Sequence, residues 1–109
     1  MSANPLLAFG IPTYRRPDQL ERCVRSILAA AAPQRVAIHI TDDACDDTNL
    51  AVIESLRRQY PWIVHHRNPR TLGIDRNILH AADVCETEYA WLMGEDDRVR
   101  PHAVERVLA

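Results

Sequence analysis

The chain has 109 residues, 47% of them hydrophobic and 26% charged, with a formal net charge of −2. That balance supports one domain with a real core and excludes a disordered tail. The near-neutral charge excludes a basic footprint for nucleic acid.

Strand and helix signals alternate from end to end. Leu6 to Ile11 is a short apolar run closed by Pro12, which predicts a buried strand. Pro17 suits a first helical turn, and Leu20, Cys23, Val24, Ile27 and Leu28 recur at helical spacing until Pro33 stops them. Val36 to Thr41 predicts a second strand, followed by the acidic loop "DDACDD". Thr48 is the expected cap of a second helix with Val52, Ile53, Leu56 and Tyr60 on its apolar face and Pro61 as its stop. Trp62 to His66 predicts a third strand, Ile74 to Val84 a third helix and Tyr89 to Met93 a fourth strand, and Pro101 opens a last helix. Strands joined through helices require crossover connections, so the expected fold is α/β with a parallel four-stranded sheet.

Several chemistries are excluded by what is missing. All thirteen basic residues are arginine, so no lysine is present for Schiff-base or P-loop chemistry. Cys23, Cys45 and Cys85 are odd in number and widely spaced, which fits reduced thiols better than a disulfide framework or a structural zinc site. The start, "MSANPLLAFGIP", has no positive n-region, and the longest apolar stretch, Ile27 to Ala32, is too short to span a bilayer. The expected location is the cytoplasm, with any membrane attachment left to a partner or a missing segment. A nicotinamide-dependent dehydrogenase needs G-x-G-x-x-G after the first strand, and the only glycines are Gly10, Gly73 and Gly94.

In a parallel sheet all strand C-termini meet at one edge, and ligands bind there. The loops at that edge read "PTYRRP", "DDACDD", "RNPRTLG" and "GEDD". Glu95, Asp96 and Asp97 form either a solvated acidic turn or a site for a hard divalent cation, which prefers carboxylate oxygens. Asp42 and Asp43 either cap turns or face a ligand. Tyr14 is either a core tyrosine or a flat surface for a base. Arg76 follows Gly73 in the first turn of a helix, where backbone N–H groups already favour an anion; it is a phosphate contact, a surface arginine or a partner of Asp75. Asp43, Cys45, Asp47, Asn49 and Glu54 mimic a calcium loop, but Thr48 replaces its glycine and Cys45 is a poor oxygen substitute. His39, His65, His66 and the thiol of Cys45 are assigned no role.

Taken together, "FGIPTYRRPDQLERCVRSIL", "ITDDACDDT", "RNPRTLGIDRNILHAA" and "EYAWLMGEDDRVRP" resemble the family 2 glycosyltransferases, in order and spacing, over nearly the whole chain. The resemblance implies the GT-A fold, a Rossmann-like parallel four-stranded sheet in the order 3-2-1-4 with helices on both faces, and a nucleotide-sugar donor of the UDP, GDP or dTDP type. Pro12, Thr13 and Tyr14 match the family's "PTYN" segment and would meet the nucleoside. Asp42 and Asp43 match "DDGS", placing a carboxylate on the base edge. Arg76 matches the diphosphate or ribose contact. Glu95-Asp96-Asp97 matches the DxD-type motif: Asp96 belongs to the nucleotide-sugar site, Asp97 is the direct ligand of Mg²⁺ or Mn²⁺, and Glu95 reaches the metal through water. Arg15 stands where the family usually has asparagine, and Ala44-Cys45 stands for Gly-Ser.

The implied reaction is transfer of the sugar, with inversion, to a saccharide, lipid or protein acceptor that the sequence leaves open. The acceptor half and the catalytic base are expected beyond residue 109, so residues 1–109 read as a single donor-binding domain truncated before that half. The alternative is a non-catalytic nucleotide-sugar-binding or regulatory module. The fourth strand would be a sheet edge, and self-association through it or through the last helix is expected.

Overall fold

The computed structural model describes residues 5–31, 35–44 and 46–108. The helix stop expected at Pro33 and the thiol of Cys45 lie outside them. Along the chain run β1 (Leu7–Thr13), α1 (Pro17–Ala31), β2 (Val36–Asp42), α2 (Leu50–Gln59), β3 (Val64–Arg67), α3 (Ile74–Asp83), β4 (Tyr89–Leu92) and α4 (Ala103–Leu108). The strands form one sheet in the order β3-β2-β1-β4, and every pairing is parallel, as the alternating pattern requires.

Side-chain alternation along β1 sorts the helices to the two faces. Leu7, Phe9 and Ile11 share a core with Leu20, Cys23, Val24 and Ile27 of α1, with Ile53 and Leu56 of α2, and with Val104 of α4. Gly10 faces the other way, where an added Cβ would stand 2.6 Å from the Ala81 carbonyl oxygen of α3. Only glycine lets α3 settle that close to the sheet. The helix therefore depends on one missing methyl group.

Pro12 does not close β1; the strand continues to Thr13. Even-numbered positions of β1 turn their backbone toward β4, as Gly10 shows by accepting from the Met93 N–H, and odd positions turn toward β2, where Thr13 accepts from the Asp43 N–H. The β1–β4 pairing ends at Gly10 opposite Leu92, so the N–H that Pro12 lacks would have had no strand partner. Other boundaries also move. Thr48 does not cap α2: its N–H and hydroxyl both bond Asp46, and Asn49 takes the N-cap position without a side-chain cap bond. β3 begins at Val64 because the Ile63 N–H is spent on Tyr60 in a turn. α4 begins at Ala103, since His102 has φ 69° and breaks the helical path after Pro101.

On the α3 face, His39 of β2 and His66 of β3 stack with ring centroids 5.2 Å apart, and His39 Nδ1 lies 3.0 Å from His66 Nε2. His80 of α3 meets His66 edge-on at 6.2 Å. Burial holds the pKa of both His39 and His66 below the usual 6.5, with Glu86 opposing this at His39 and the neighbouring His39, His80 and His65 adding to it at His66. The unfolded chain therefore takes up protons first as the pH falls, so this contribution is complete above pH 6.5 and is lost below it. Urea unfolding should give lower stability at about pH 5.5 than at about pH 7.5, and a His39→Gln/His66→Gln variant should lose most of that slope. Equal slopes in the variant and the parent would contradict the assignment.

Candidate functional site

The four strand C-termini frame a cavity of about 450 Å³. Its walls are Pro12, Thr13, Tyr14 and Arg16 after β1, Asp43 after β2, Thr71, Gly73, Ile74, Asn77 and Ile78 at the start of α3, and Gly94, Glu95 and Asp96 after β4. Of the residues expected from sequence, Pro12, Thr13, Tyr14, Asp43, Glu95 and Asp96 line this cavity. Asp42, Arg76 and Asp97 do not. Arg76 stands on an exposed flank of α3, one position from the buried Asn77.

Asp42 and Asp43 point to opposite faces, as consecutive residues at a strand end must. Asp42 is 1% exposed and takes a bond from His65 Nε2 at 3.1 Å, from Asn49 Nδ2 at 3.2 Å and from the Ala44 N–H at 3.1 Å. Burial pushes its pKa up, but the bonds from His65, Ala44 and Asn49 outweigh burial and hold it below the ordinary carboxylate value. Asp43 faces α3. Its carboxylate accepts from Asn68 Nδ2 at 2.9 Å and from the N–H groups of Leu72 at 2.7 Å and Gly73 at 3.0 Å. Gly73 sits at the N-cap of α3 with φ 93° and has no side chain to cap the helix, so a carboxylate from another loop does it. Asn68 also donates to Asn77 Oδ1, and Asn77 donates to the Thr41 carbonyl, which ties the "RNPRTLG" loop to β2.

Glu95 closes the ring from the β4 side. One oxygen accepts from the Thr13 hydroxyl and from the Tyr14 N–H at 3.0 Å, and the other lies 3.8 Å from Arg16 Nε. Burial raises its pKa in spite of those bonds. Asp96 and Asp97 turn back over Gly94: a Cβ there would lie 3.1 Å from Asp96 Oδ1 and 3.2 Å from Asp97 Oδ2, and the Gly94 N–H donates to Asp97. Among the described residues no group of three or more His, Cys, Asp or Glu side chains is placed to hold a metal ion. Two converging aspartate oxygens are not a protein cage. They fit a hard cation that takes its other ligands from phosphate and water. Cys23 lies under this turn, its Sγ 3.6 Å from the Gly94 carbonyl, and burial together with Asp97, Glu95 and Asp96 pushes its thiol up to about 12. It is not a nucleophile.

Arg15 has φ 52°, a left-handed conformation that asparagine adopts at lower cost than arginine. Its guanidinium pairs with Asp46 at 2.8 Å and lies 5.3 Å over the Tyr14 ring, so it links the first two loops at the rim. Sequence reasoning missed Arg16, Thr71, Asn77 and Ile78 in the cavity wall and Asn49 and Asn68 behind it. Asn49 precedes a helix and had a recognisable signal as an N-cap, and Asn68 and Asn77 bound the stretch whose family resemblance was read only for Arg76; Arg16, Thr71 and Ile78 carry no such signal.

The model of glycosyl transferase family 2 matches residues 9–109. The abequosyltransferase RfbV of Salmonella typhimurium is 35% identical over 94 residues, covering 84% of this chain and 28% of that protein. Among solved structures, S. aureus TarS 1-349 in complex with UDP superposes with a TM-score of 0.79 at 17% identity, over 94% of this chain and 30% of that one. The mannosyltransferase PcManGT of Pyrobaculum calidifontis, in complex with GDP-Man and Mn2+, gives 0.75 at 14% identity over 93% and 30%. The chain thus spans about 30% of the length of these relatives.

Asp43 is the testable keystone of this geometry. Asp43→Ala leaves the Leu72 and Gly73 N–H groups without this acceptor and removes one of the acceptors of the Asn68 amide, and should cost roughly 3 kcal/mol. Amide exchange at Leu72 and Gly73 should quicken well before that at Phe9. An unchanged unfolding midpoint with unchanged exchange at both amides would contradict this account.

Proposed function

Since the chain belongs to glycosyl transferase family 2, we propose that its strand-end cavity binds the nucleoside diphosphate sugar from which the complete protein transfers the sugar to an acceptor. The observation that carries this reading is the meeting of Tyr14, Asp43 and Asp96, from three separate loops, around one cavity. The base lies against Tyr14 with Thr13 and Pro12 beside it, and Asp43, backed by Asp42, supplies the carboxylate at the base edge. Asp96 borders the diphosphate, and Arg76, outside the cavity wall on the exposed flank of α3, reaches over the rim to it. The UDP complex of TarS and the GDP-Man and Mn2+ complex of PcManGT support a nucleotide-sugar donor and a divalent cation.

Asp97 is the direct ligand of Mg²⁺ or Mn²⁺ in this reading, and Glu95 reaches it through water, since one Glu95 oxygen is already spent on Thr13 and Tyr14. When bound, a cation held at Asp97 would supply positive charge that offsets the charge of the diphosphate as it departs. The residues of this chain bind and orient the donor: Tyr14 and Asp43 fix the base, and Arg76 neutralises phosphate charge. Transfer proceeds by inversion to a saccharide, lipid or protein acceptor. The alternative reading is a non-catalytic nucleotide-sugar-binding or regulatory module.

No helix among the described residues is long and apolar enough to cross a membrane, and cytoplasmic placement belongs to the proposal. So does self-association: the outer edge of β4 borders a groove lined by Leu6, Tyr89, Leu92 and Val107, all exposed.

Calorimetry with UDP, GDP and dTDP sugars, with and without EDTA, tests the donor reading. One nucleotide class should bind, and EDTA should weaken it. Asp97→Asn should lower affinity about tenfold or more and remove the EDTA effect, the size expected when one charged contact is lost. Binding that is untouched by both EDTA and Asp97→Asn would refute the metal assignment.

A further inference from the structure

Asp42 is a buried carboxylate at the end of β2, absent from the wall of the strand-end cavity. Its carboxylate meets the ring of a histidine of the third strand, which also does not line the cavity. His65 is 11% exposed, shares the α2 face of the sheet with Ile40, and directs Nε2 at Asp42 Oδ2. The other Asp42 oxygen takes the Ala44 N–H and the Asn49 amide. That same amide lies 3.5 Å from the Thr13 hydroxyl, which in turn donates to Glu95.

We propose that His65 is a positioning residue of the donor site, which fixes Asp42 and through it the segment from Asp42 to Ala44. The inference rests on the donor reading given above. Its physical basis is the shortness of that segment. Between the Asp43 N–H, held by the Thr13 carbonyl, and the Ala44 N–H, held by Asp42, only Asp43 intervenes. If Asp42 swings, Asp43 loses its angle to Leu72 and Gly73, and the wall facing the base shifts. The lowered pKa of Asp42 agrees with a carboxylate kept charged by these donors. His65 touches no substrate; its effect passes through Asp42.

Two variants and two readouts test the assignment. His65→Leu removes the donor, whereas His65→Gln places an amide N–H at nearly the same reach. In the free protein, exchange of the Ala44 amide should quicken about tenfold or more in His65→Leu and return toward the parent rate in His65→Gln. Affinity for the nucleoside diphosphate sugar that the parent binds best should fall by a similar factor in His65→Leu and recover in His65→Gln. Parent-like values for both readouts in His65→Leu would overturn the proposal. Faster Ala44 exchange with unchanged donor affinity would also overturn it, by reducing the pair to a structural contact. Failure of the parent chain to bind any UDP, GDP or dTDP sugar would instead overturn the donor reading, and the exchange result alone would then decide the His65–Asp42 link.

Discussion

A carboxylate taken out of water must be met by donors, or it costs several kcal/mol. This fold places two of them side by side at the end of β2, both nearly inaccessible. Satisfying them organises the edge of the sheet. Asp42 draws in β3 through His65 and α2 through Asn49, while Asp43 draws in the loop before α3 and the first N–H groups of that helix. The backbone between them is pinned to β1 by the Asp43 N–H on the Thr13 carbonyl and to β3 by the Asn68 N–H on the Asp42 carbonyl. Four elements converge because two adjacent charges need partners.

The acids after β4 follow the same rule with a different outcome. Glu95 is met from within the protein, by a hydroxyl, a backbone N–H and a more distant arginine. Asp96 and Asp97 remain exposed, directed over a glycine whose missing side chain leaves room for both oxygens. The three carboxylates are therefore not equivalent. One braces the β1–α1 loop, and two stay open toward solvent. Division of labour among neighbouring acids follows from burial and donor supply rather than from residue type.

The fold was legible because its determinants are local. Four apolar runs and the helical periods between them specify parallel pairing, and the observed order places the first strand beside both the second and the fourth. Boundaries were less legible because they depend on partners. Pro12 stays in β1 because β4 has already ended beside it, and Thr48 gives up the cap because Asp46 lies closer. In the site, the loops were identifiable by their polar residues, and Tyr14, Asp43 and Asp96 do border one cavity. What sequence could not give was direction. The alternation that turns Asp42 beneath the cavity and Asp43 toward α3 depends on where β2 stops, and the contact between His65 and Asp42 spans 23 positions. Arg16 enters the cavity wall while Arg76 stands outside it, although the helix start favoured Arg76.

The central claim is that the strand-end cavity is the donor site. A crystal structure of the chain with Mn²⁺ and the diphosphate of the nucleotide that binds most tightly tests it most directly. The account predicts the base against Tyr14 and Asp43, and an anomalous manganese peak beside Asp97 in contact with the phosphates. Nucleotide density elsewhere on the surface, with the cavity between Tyr14, Asp43 and Asp96 left to solvent, would contradict it.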